Sequence, residues 1–153
     1  MVKSRPFPIG SKFFILLHSL NPSAFETYDR GVKTIAIIGA SNDRAKFGNK
    51  SVRAFLQQGY EVFPVNPKEE NIEGLPAFKS IRDVPVRPQM ISVYLPPPVL
   101  LKVLPDIAAR GCDELWLNPG TESDEVLAET VRLGLNTIQA CSIVGVGVSP
   151  GEL

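Results

Sequence analysis

What the sequence lacks excludes several classes of protein. It has one histidine and two cysteines in 153 residues, too few ligands for a structural zinc site and too few cysteines for a disulfide framework. Its 16 Lys+Arg balance 16 Asp+Glu, so no charge excess points to nucleic acid or an anionic membrane as partner. No apolar run reaches the roughly 18 residues that a membrane-spanning helix needs. These absences indicate a small, soluble, neutral domain in a reducing compartment, which favours the cytoplasm.

The beginning of the chain differs from the rest. Three basic residues precede a short apolar stretch, Phe13–Leu17, which is the outline of a secretory signal. The stretch is short, however, and Pro22 occupies a position where cleavage sites prefer small residues. We therefore predict that residues 1–20 form a disordered or loosely packed extension, with a signal or organellar transit peptide as the alternative. A hydrophobic content of 44% suits one globular domain over residues 21–153.

Within that domain, short apolar runs alternate with helical patterns. The predicted strands are residues 34–38, 61–65, 90–95, 114–117 and 137–140, with residues 75–78 as at most a short strand. The predicted helices are residues 21–29, 49–58, a stretch from the prolines at 96–98 to Arg110 that Pro105 restarts, and 124–133 with Ser123 as its cap. Such alternation is typical of right-handed βαβ units. We predict a single Rossmann-like α/β domain with three layers and a mostly parallel sheet.

This fold predicts where a ligand binds. In open parallel sheets, ligands lie beyond the carboxyl ends of the strands, where the strand order reverses. Four segments follow strands on that side, at residues 39–48, 66–68, 94–98 and 118–120. The third has rigid apolar surface and few hydrogen-bond donors. It suits an extended ligand arm or an adenine edge, or alternatively a stiff connection packed on the sheet.

The first of these segments has features of a phosphate-binding turn. Gly39 permits a sharp exit from the strand, and Gly48 lets the next helix approach a ligand or the sheet closely. The amino terminus of that helix favours phosphate. The spacing matches neither the G-x-G-x-x-G dinucleotide fingerprint nor a P-loop, so a plain strand-to-helix turn remains the alternative.

The second segment discriminates between nucleotides. An NAD-binding domain usually ends its second strand with Asp or Glu, whereas this chain has Asn66, Pro67 and Lys68. An ammonium group there suits a ribose phosphate, as in NADP or the 3′-phosphate of coenzyme A (CoA), and Arg44 and Lys46 would add to the positive field. The alternative is that Lys68 is only a solvated loop charge.

Six segments carry a resemblance to a known family: IAIIGAS, KFGNKSV, GYEVFPVNP, IEG, SVYLPPP and ELWLNPGT. In this order they resemble the CoA-binding domain proteins. These are small Rossmann-like modules related to the nucleotide-binding domain of the succinyl-CoA synthetase alpha subunit. The resemblance runs from about Lys33 to Cys141, which is most of the chain.

The resemblance implies a role for each segment. Gly39-Ala40-Ser41 and the Lys46-Phe47-Gly48 turn would cradle the diphosphate, and Asn66-Pro67-Lys68 would hold the adenosine with its 3′-phosphate. Pro96-Pro97 and Asn118-Pro119-Gly120 would line the path of the pantetheine arm. The chain departs from the family in having asparagine at position 118, where glutamine is frequent. It also departs around its last cysteine, where the family commonly has charged residues.

Catalysis by this chain alone is not supported. The related synthetase relays phosphate through a histidine in a second domain, whereas the one histidine here, His18, precedes the fold. Ser41 has no base nearby in its motif, so its hydroxyl is a phosphate donor rather than a nucleophile. We expect a non-catalytic module that binds CoA or acyl-CoA as a carrier, sensor or regulatory partner, with a homodimer or a partner subunit left open. The alternatives are an NAD(P)-binding redox-sensing protein and a ligase-like subunit that needs a partner chain.

Two cysteines and two aromatic residues complete the predictions. Cys141 ends the last strand on the ligand side and could face the CoA thiol as a redox-active residue, although a buried structural cysteine is the simpler interpretation. Cys112 begins its strand on the opposite side, so no internal disulfide is expected. Phe63 and Trp116 lie within strand patterns and are predicted core residues.

Overall fold

The computed structural model describes residues 31–153. The predicted extension at residues 1–20, His18 and the predicted helix at residues 21–29 lie outside the described residues. Residues 32–153 cluster as one compact unit. Within the described part, no helix is long and apolar enough to cross a membrane.

Seven strands and four helices follow one another along the described chain. In order they are β1 (Thr34–Ile38), α1 (Phe47–Gln57), β2 (Glu61–Val65), β3 (Asn71–Ile72), β4 (Leu75–Pro76), β5 (Met90–Val93), α2 (Pro97–Arg110), β6 (Glu114–Leu117), α3 (Asp124–Arg132), β7 (Thr137–Gln139) and α4 (Ser142–Gly145). Short 3₁₀ helices cover Ile81–Asp83 and Pro150–Glu152. Five of the strands form a parallel sheet in the order β2-β1-β5-β6-β7, which confirms the predicted Rossmann-like α/β fold.

The strand order reverses beside β1. The chain leaves β1 to form β2 on one side of it, then returns to form β5 on the other side. The register places Ile38 opposite both Val65 and Val93, so β1, β2 and β5 end together. The loops that follow these strands therefore meet at one point, which is where ligands bind in such sheets.

The core consists of two apolar layers, one on each face of the sheet. All five residues of β1 are buried, so successive side chains of this strand enter opposite layers. Ile35 and Ile37 pack against Phe55 of α1, whereas Ala36 and Ile38 join the layer beneath α2 and α3. Burial on both faces explains why the strand reads as a continuous β-branched run.

Several boundaries differ from the predicted ones. α1 begins two residues earlier than expected, and β5 and β7 end earlier. The segment predicted as a loop between Asn66 and Gly74 contains β3, which pairs with β4 as a short antiparallel hairpin. Two-residue strands have too little alternation for a pattern to detect.

The prediction that Pro105 restarts a helix is wrong. α2 is continuous from Pro97 to Arg110, with Pro105 exposed in its interior. Leu100, Leu104 and Ile107 of this helix are completely buried. Their packing outweighs the one backbone hydrogen bond that an interior proline removes.

The predicted core role holds for one aromatic residue and not for the other. Phe63 is buried in the core. Trp116 is half-buried, and its Nε1 donates to Glu114 Oε1 at 2.9 Å. Its ring lies under Gly145, where an added Cβ would lie 2.7 Å from the indole. Trp116 therefore packs the outer side of the sheet against α4.

Candidate functional site

Two glycines bring the start of α1 against the end of β1. Gly39 has φ +90°, and an added Cβ there would lie 2.4 Å from the carbonyl oxygen of Tyr94. A Cβ on Gly48 would lie 2.1 Å from the carbonyl oxygen of Gly39. Gly48 was expected to let the helix approach a ligand or the sheet closely. The structure shows that the helix approaches the backbone of Gly39. Any other residue at either position requires the loop to move.

The loop between β1 and α1 leaves the helix terminus open. Ser41 Oγ accepts a hydrogen bond from the N–H of Asp43 at 3.0 Å, and Asp43 Oδ1 accepts one from the N–H of Ala45 at 3.0 Å. Lys46 precedes the helix, and no side chain caps the terminus there. Lys46 is exposed and forms no ion pair within residues 31–153. An uncapped helix amino terminus beside a free cation suits an anionic ligand.

A buried asparagine holds the shape of this loop. Asn49, on α1, is completely buried, and its Nδ2 donates to the carbonyl oxygen of Ser41 at 2.8 Å and to Glu73 at 2.9 Å. Arg53 Nε donates to Asn49 Oδ1 at 2.7 Å, and the same guanidinium bonds the carbonyl oxygen of Arg44 at 3.0 Å. Sequence reasoning assigned no role to Asn49, Glu73 and Arg53, because the contact of Asn49 with Glu73 joins segments 24 positions apart and arises only in the fold.

Glu73 couples the same loop to the β3–β4 hairpin. Arg44 Nη1 contacts its two carboxylate oxygens at 2.6 Å and 2.8 Å. The hydrogen bond from Asn49 is the largest cause that lowers the pKa of Glu73, and Arg44 lowers it further against the opposing effect of burial. The Arg44 charge is therefore already matched by a carboxylate, which diminishes its predicted part in the positive field.

Asn66 joins the first and second loops. Its Nδ2 donates to the carbonyl oxygen of Ala40 at 2.8 Å, and its Oδ1 accepts from the N–H of Lys68 at 2.8 Å. This arrangement fixes the turn through Pro67 and leaves the Lys68 side chain exposed.

A cavity of about 290 Å³, which we call the lysine cavity, opens beside this second loop. Two lysines, Lys68 and Lys79, and one carboxylate residue, Asp106, are among its lining residues. The rest of the lining is largely apolar and consists of Ile38, Gly39, Val65, Asn66, Pro67, Ser80, Ile81, Leu95, Val99 and Val103. Lys79 was not predicted. It enters the site because Phe78 adds a parallel bridge to Val65 beyond β2, which the sequence pattern does not reveal.

A second cavity of about 400 Å³, which we call the cysteine cavity, includes Phe47 at the start of α1 in its lining. It is lined by Phe47, Tyr94, Leu95, Pro96, Pro119, Gly120, Thr121 and Cys141. None of these side chains carries a carboxylate, an ammonium or a guanidinium group. Leu95 lines both cavities, so they adjoin.

The predicted site residues are only partly brought together. Pro96, Pro119 and Gly120 line the cysteine cavity, whereas Pro97 occupies the first turn of α2 and lines neither cavity. The side chain of Asn118 is buried and lines neither cavity.

Asn118 organises the polar groups beneath the cysteine cavity. Its Nδ2 donates to Ser92 Oγ and to the carbonyl oxygen of Val93, each at 2.8 Å. Its Oδ1 accepts from the N–H of Ser142 at 2.8 Å, which fixes the start of α4 against the sheet. All polar atoms of this amide are used inside the protein. Asn118 is thus a structural support for the cavity wall.

The two cysteines lie at opposite ends of two neighbouring parallel strands. Cys141 follows the carboxyl end of β7 and lines the cysteine cavity, and Cys112 precedes the amino end of β6. Both are free and half-buried. Burial raises the pKa of Cys112 to about 11. Within residues 31–153 no group of three or more His, Cys, Asp or Glu side chains could hold a metal ion.

Comparison with known proteins identifies the class. The profile of the CoA binding domain family matches residues 33–146, and the chain belongs to that family. Two curated relatives come from Pyrococcus furiosus. The alpha subunit of acetate–CoA ligase (ADP-forming) I is 31% identical over 138 residues, which cover 79% of this chain and 29% of the relative. The alpha subunit of ligase II is 33% identical over 78 residues, which cover 50% and 17%.

A solved structure matches over nearly its whole length. A conserved hypothetical protein from Pyrococcus furiosus is 35% identical, with a TM-score of 0.69, and the alignment covers 74% of this chain and 98% of that one. The chain therefore spans less than a third of the two ligase subunits but matches a small protein of similar size. These comparisons confirm the resemblance and the fold drawn from the sequence.

Proposed function

We propose that this protein binds CoA or acyl-CoA without catalysing a reaction by itself, and acts as a carrier, sensor or regulatory partner. One observation carries the proposal: two adjoining cavities lie where the parallel strands end, beside the uncapped start of α1, with Phe47 of α1 lining one and Gly39, against which Gly48 of α1 packs, lining the other. CoA has an adenosine 3′-phosphate at one end, a diphosphate in the middle and a flexible pantetheine arm at the other end. The lysine cavity offers cations for the 3′-phosphate, the helix terminus offers N–H groups for the diphosphate, and the cysteine cavity offers apolar surface for the pantetheine arm.

In this arrangement the lysine cavity takes the adenosine end. Its apolar walls, formed among others by Ile81 and Val99, suit the adenine ring. The ammonium groups of Lys68 and Lys79 suit the 3′-phosphate, because each forms a charge-assisted hydrogen bond with a phosphate oxygen. The absence of an acidic residue at the end of β2 disfavours the unmodified ribose of NAD.

The helix terminus takes the diphosphate. Close packing of Gly48 against Gly39 brings the first N–H groups of α1 next to the strand end, where they can face phosphate oxygens. The exposed Lys46 ammonium adds charge beside them. The hydroxyl of Ser41 keeps its own hydrogen for a phosphate oxygen, since Ser41 Oγ acts as acceptor in its internal bond.

The cysteine cavity takes the pantetheine arm. Leu95, Pro96, Pro119 and Gly120 give the arm a largely apolar lining, which also includes Cys141. Within the part of the chain that the structure describes, no histidine, carboxylate or lysine lines this cavity, so residues 31–153 place no general base beside the thiol end of the ligand. This lining supports binding rather than stand-alone chemistry.

The second candidate is a ligase-like subunit that is active only with a partner chain. The names of the two curated relatives, both alpha subunits of an ADP-forming acetate–CoA ligase, favour it. The two candidates share the CoA site and differ in what docks on it. The test is to mix the full chain with acetate, CoA and ATP, alone and with any protein that copurifies with it, and to measure acetyl-CoA. Neither candidate predicts product from the chain alone. Product that forms only with the copurifying protein would support the second candidate, and turnover by the purified chain alone would refute both.

Binding itself is tested by calorimetric titration of the full chain with CoA, dephospho-CoA, NAD and NADP. We expect CoA to bind most tightly and removal of its 3′-phosphate to weaken binding. Preferred binding of NADP or NAD would instead assign the protein to the redox-sensing class. The absence of binding to all four ligands would refute the proposal.

A further inference from the structure

Among residues 31–153, the cysteine cavity contains one strong side-chain donor that is available to a ligand. Its lining is apolar apart from Tyr94, Thr121 and Cys141. Thr121 Oγ1 donates its hydrogen to the carbonyl oxygen of Asn118 at 2.7 Å, so it is already used. A thiol is a weak donor. The hydroxyl of Tyr94 therefore remains.

A chain of hydrogen bonds ends at this hydroxyl. Asn118 Nδ2 donates to Ser92 Oγ, and Ser92 Oγ lies 2.7 Å from Ser142 Oγ. Ser142 Oγ lies 3.1 Å from the phenol oxygen of Tyr94. An amide nitrogen can only donate, so Ser92 Oγ accepts from Asn118. Ser142 Oγ is the one acceptor of ordinary geometry within residues 31–153 for the hydrogen of the buried Ser92 hydroxyl, so both serine hydrogens are used when Ser92 donates to Ser142 and Ser142 donates to Tyr94.

In this direction, no hydrogen bond of ordinary geometry within residues 31–153 uses the hydrogen of Tyr94. Each hydroxyl accepts one hydrogen and passes on its own, and such chains strengthen as they polarise. The phenol oxygen is an acceptor for Ser142, so the Tyr94 hydrogen points away from that bond. Tyr94 lines the cavity beside Cys141, the residue that precedes Ser142. An acceptor for the hydrogen of the Tyr94 hydroxyl would therefore lie in the cavity.

The surroundings of the phenol keep that hydrogen in place. Burial is the largest influence on the pKa of Tyr94 and raises it, while the hydroxyls of Ser142 and Ser51 lower it by less. The phenol thus stays protonated at neutral pH. Ser51 Oγ is itself buried and forms no hydrogen bond of ordinary geometry within residues 31–153.

We infer that the Tyr94 hydroxyl donates a hydrogen bond to a carbonyl oxygen of the bound ligand. The inference rests on the proposed binding of CoA, and it identifies Tyr94 as a residue that determines specificity at the thiol end. Two carbonyl sources fit the cavity: an amide of the pantetheine arm, and the thioester of an acyl group on the sulfur. The uncharged lining favours an uncharged acyl group in the second case.

The test compares Tyr94→Phe with wild type in calorimetric titrations of the full chain with CoA and with acetyl-CoA. Tyr60→Phe is the matched control, because Tyr60 lies at the opposite edge of the sheet and packs on Phe55. We expect Tyr94→Phe to weaken binding about three- to tenfold, the usual effect of one lost neutral hydrogen bond, and Tyr60→Phe to leave it unchanged.

The pattern of losses distinguishes the two carbonyls. Equal losses for CoA and acetyl-CoA identify a pantetheine amide, and a larger loss for acetyl-CoA identifies the thioester. Unchanged affinity for both ligands overturns the inference while CoA binding stands. If wild type binds neither ligand, the proposed function itself has failed.

A second pair of variants tests the hydrogen-bond chain. Ser142→Ala removes the donor behind Tyr94, and thermal melting checks that the variant is folded. We expect this change to weaken ligand binding in the wild-type background and to add little to Tyr94→Phe, because the two residues act as one unit. If Ser142→Ala weakens binding equally in wild type and in Tyr94→Phe, Ser142 does not act through Tyr94.

Discussion

Gly48 stands so close to Gly39 that a Cβ at position 48 would lie 2.1 Å from the Gly39 carbonyl oxygen. This contact sets the distance between the amino terminus of α1 and the end of β1. It therefore determines where the N–H groups of α1 meet a ligand, and a larger residue at position 48 must displace either the loop or the helix.

The first prediction concerns this contact. Gly48→Ala should destabilise the fold by about 1–3 kcal/mol, as overpacking typically does, and should weaken CoA binding at least about tenfold because the helix terminus shifts. Denaturant unfolding and calorimetry measure the two effects. Gly151→Ala is the control, since an added Cβ there has its nearest contact at 3.9 Å from Ser149 Oγ. Normal CoA affinity in Gly48→Ala would refute the role of the loop.

The second prediction concerns the two lysines of the lysine cavity. Lys68→Glu and Lys79→Gln should each weaken CoA binding more than dephospho-CoA binding, with about 1–3 kcal/mol lost for Lys68→Glu, since a charge-assisted contact with the 3′-phosphate is removed. Lys102→Gln serves as the control because Lys102 is exposed on α2 and does not line the cavity. Equal losses for the two ligands would show that the lysines do not meet the 3′-phosphate.

The third prediction concerns Glu73 and pH. Asn49 and Arg44 lower the pKa of Glu73 in the folded protein, so the ionised carboxylate stabilises the fold above its unfolded pKa of about 4.3. That stabilisation is lost as the pH falls through the lowered pKa of the folded state. Glu73→Gln should cost about 1–3 kcal/mol at pH 7, the usual range for a lost hydrogen bond to a charged group.

The measurement for Glu73 is the free energy of unfolding of wild type and Glu73→Gln from pH 7 down to pH 3. The difference between the two proteins should shrink at the acidic end of this range. Glu70→Gln is the control, since Glu70 is exposed and only its backbone oxygen is hydrogen-bonded. A difference that stays constant with pH would contradict the assigned ionisation.

The fourth prediction separates the two thiols. Burial holds the pKa of Cys112 near 11, so only about a thousandth of it is thiolate at pH 8 and alkylation there should be slow. Cys141 lines the cysteine cavity, so bound CoA should protect it from iodoacetamide. Peptide mass spectrometry with and without CoA measures both. Unprotected Cys141 at saturating CoA would place the pantetheine arm elsewhere.

The redox interpretation of Cys141 has its own test. If this thiol exchanges with the disulfide of CoA, a CoA adduct should form on wild type with release of one CoA thiol. Cys141→Ser should abolish it. Adduct formation at an unchanged level in Cys141→Ser would leave Cys141 as a structural cysteine.

The sequence alone was sufficient to predict the strands of the sheet, because many of their residues are buried. β1 has all five residues buried and β2 four of five, so continuous apolar runs mark them. Ser123 was predicted as a helix cap, and its Oγ accepts from the N–H of Val126. Caps and buried strands are local properties, which is why a single sequence reveals them.

The parts that the sequence did not reveal depend on contacts between distant segments. Lys79 joins the lysine cavity through the pairing of Phe78 with Val65, and Glu73 reaches Asn49 across 24 positions. Asn118 is the opposite case, because the sequence pointed to this residue but did not reveal the direction of its side chain. It was predicted to line the ligand path, yet its amide is directed inward by Ser92 and Ser142, which lie 24 and more residues away. No local pattern encodes such partners.

The central claim is that one ligand spans both cavities. Amide chemical shifts of the ¹⁵N-labelled full chain test it directly, in parallel titrations with CoA and with adenosine 3′,5′-bisphosphate. We predict that CoA shifts the amides of Lys79 and Ser80 together with those of Thr121 and Cys141, whereas the bisphosphate shifts only the first pair. Shifts by CoA confined to one cavity, or identical shift patterns for both ligands, would contradict the account.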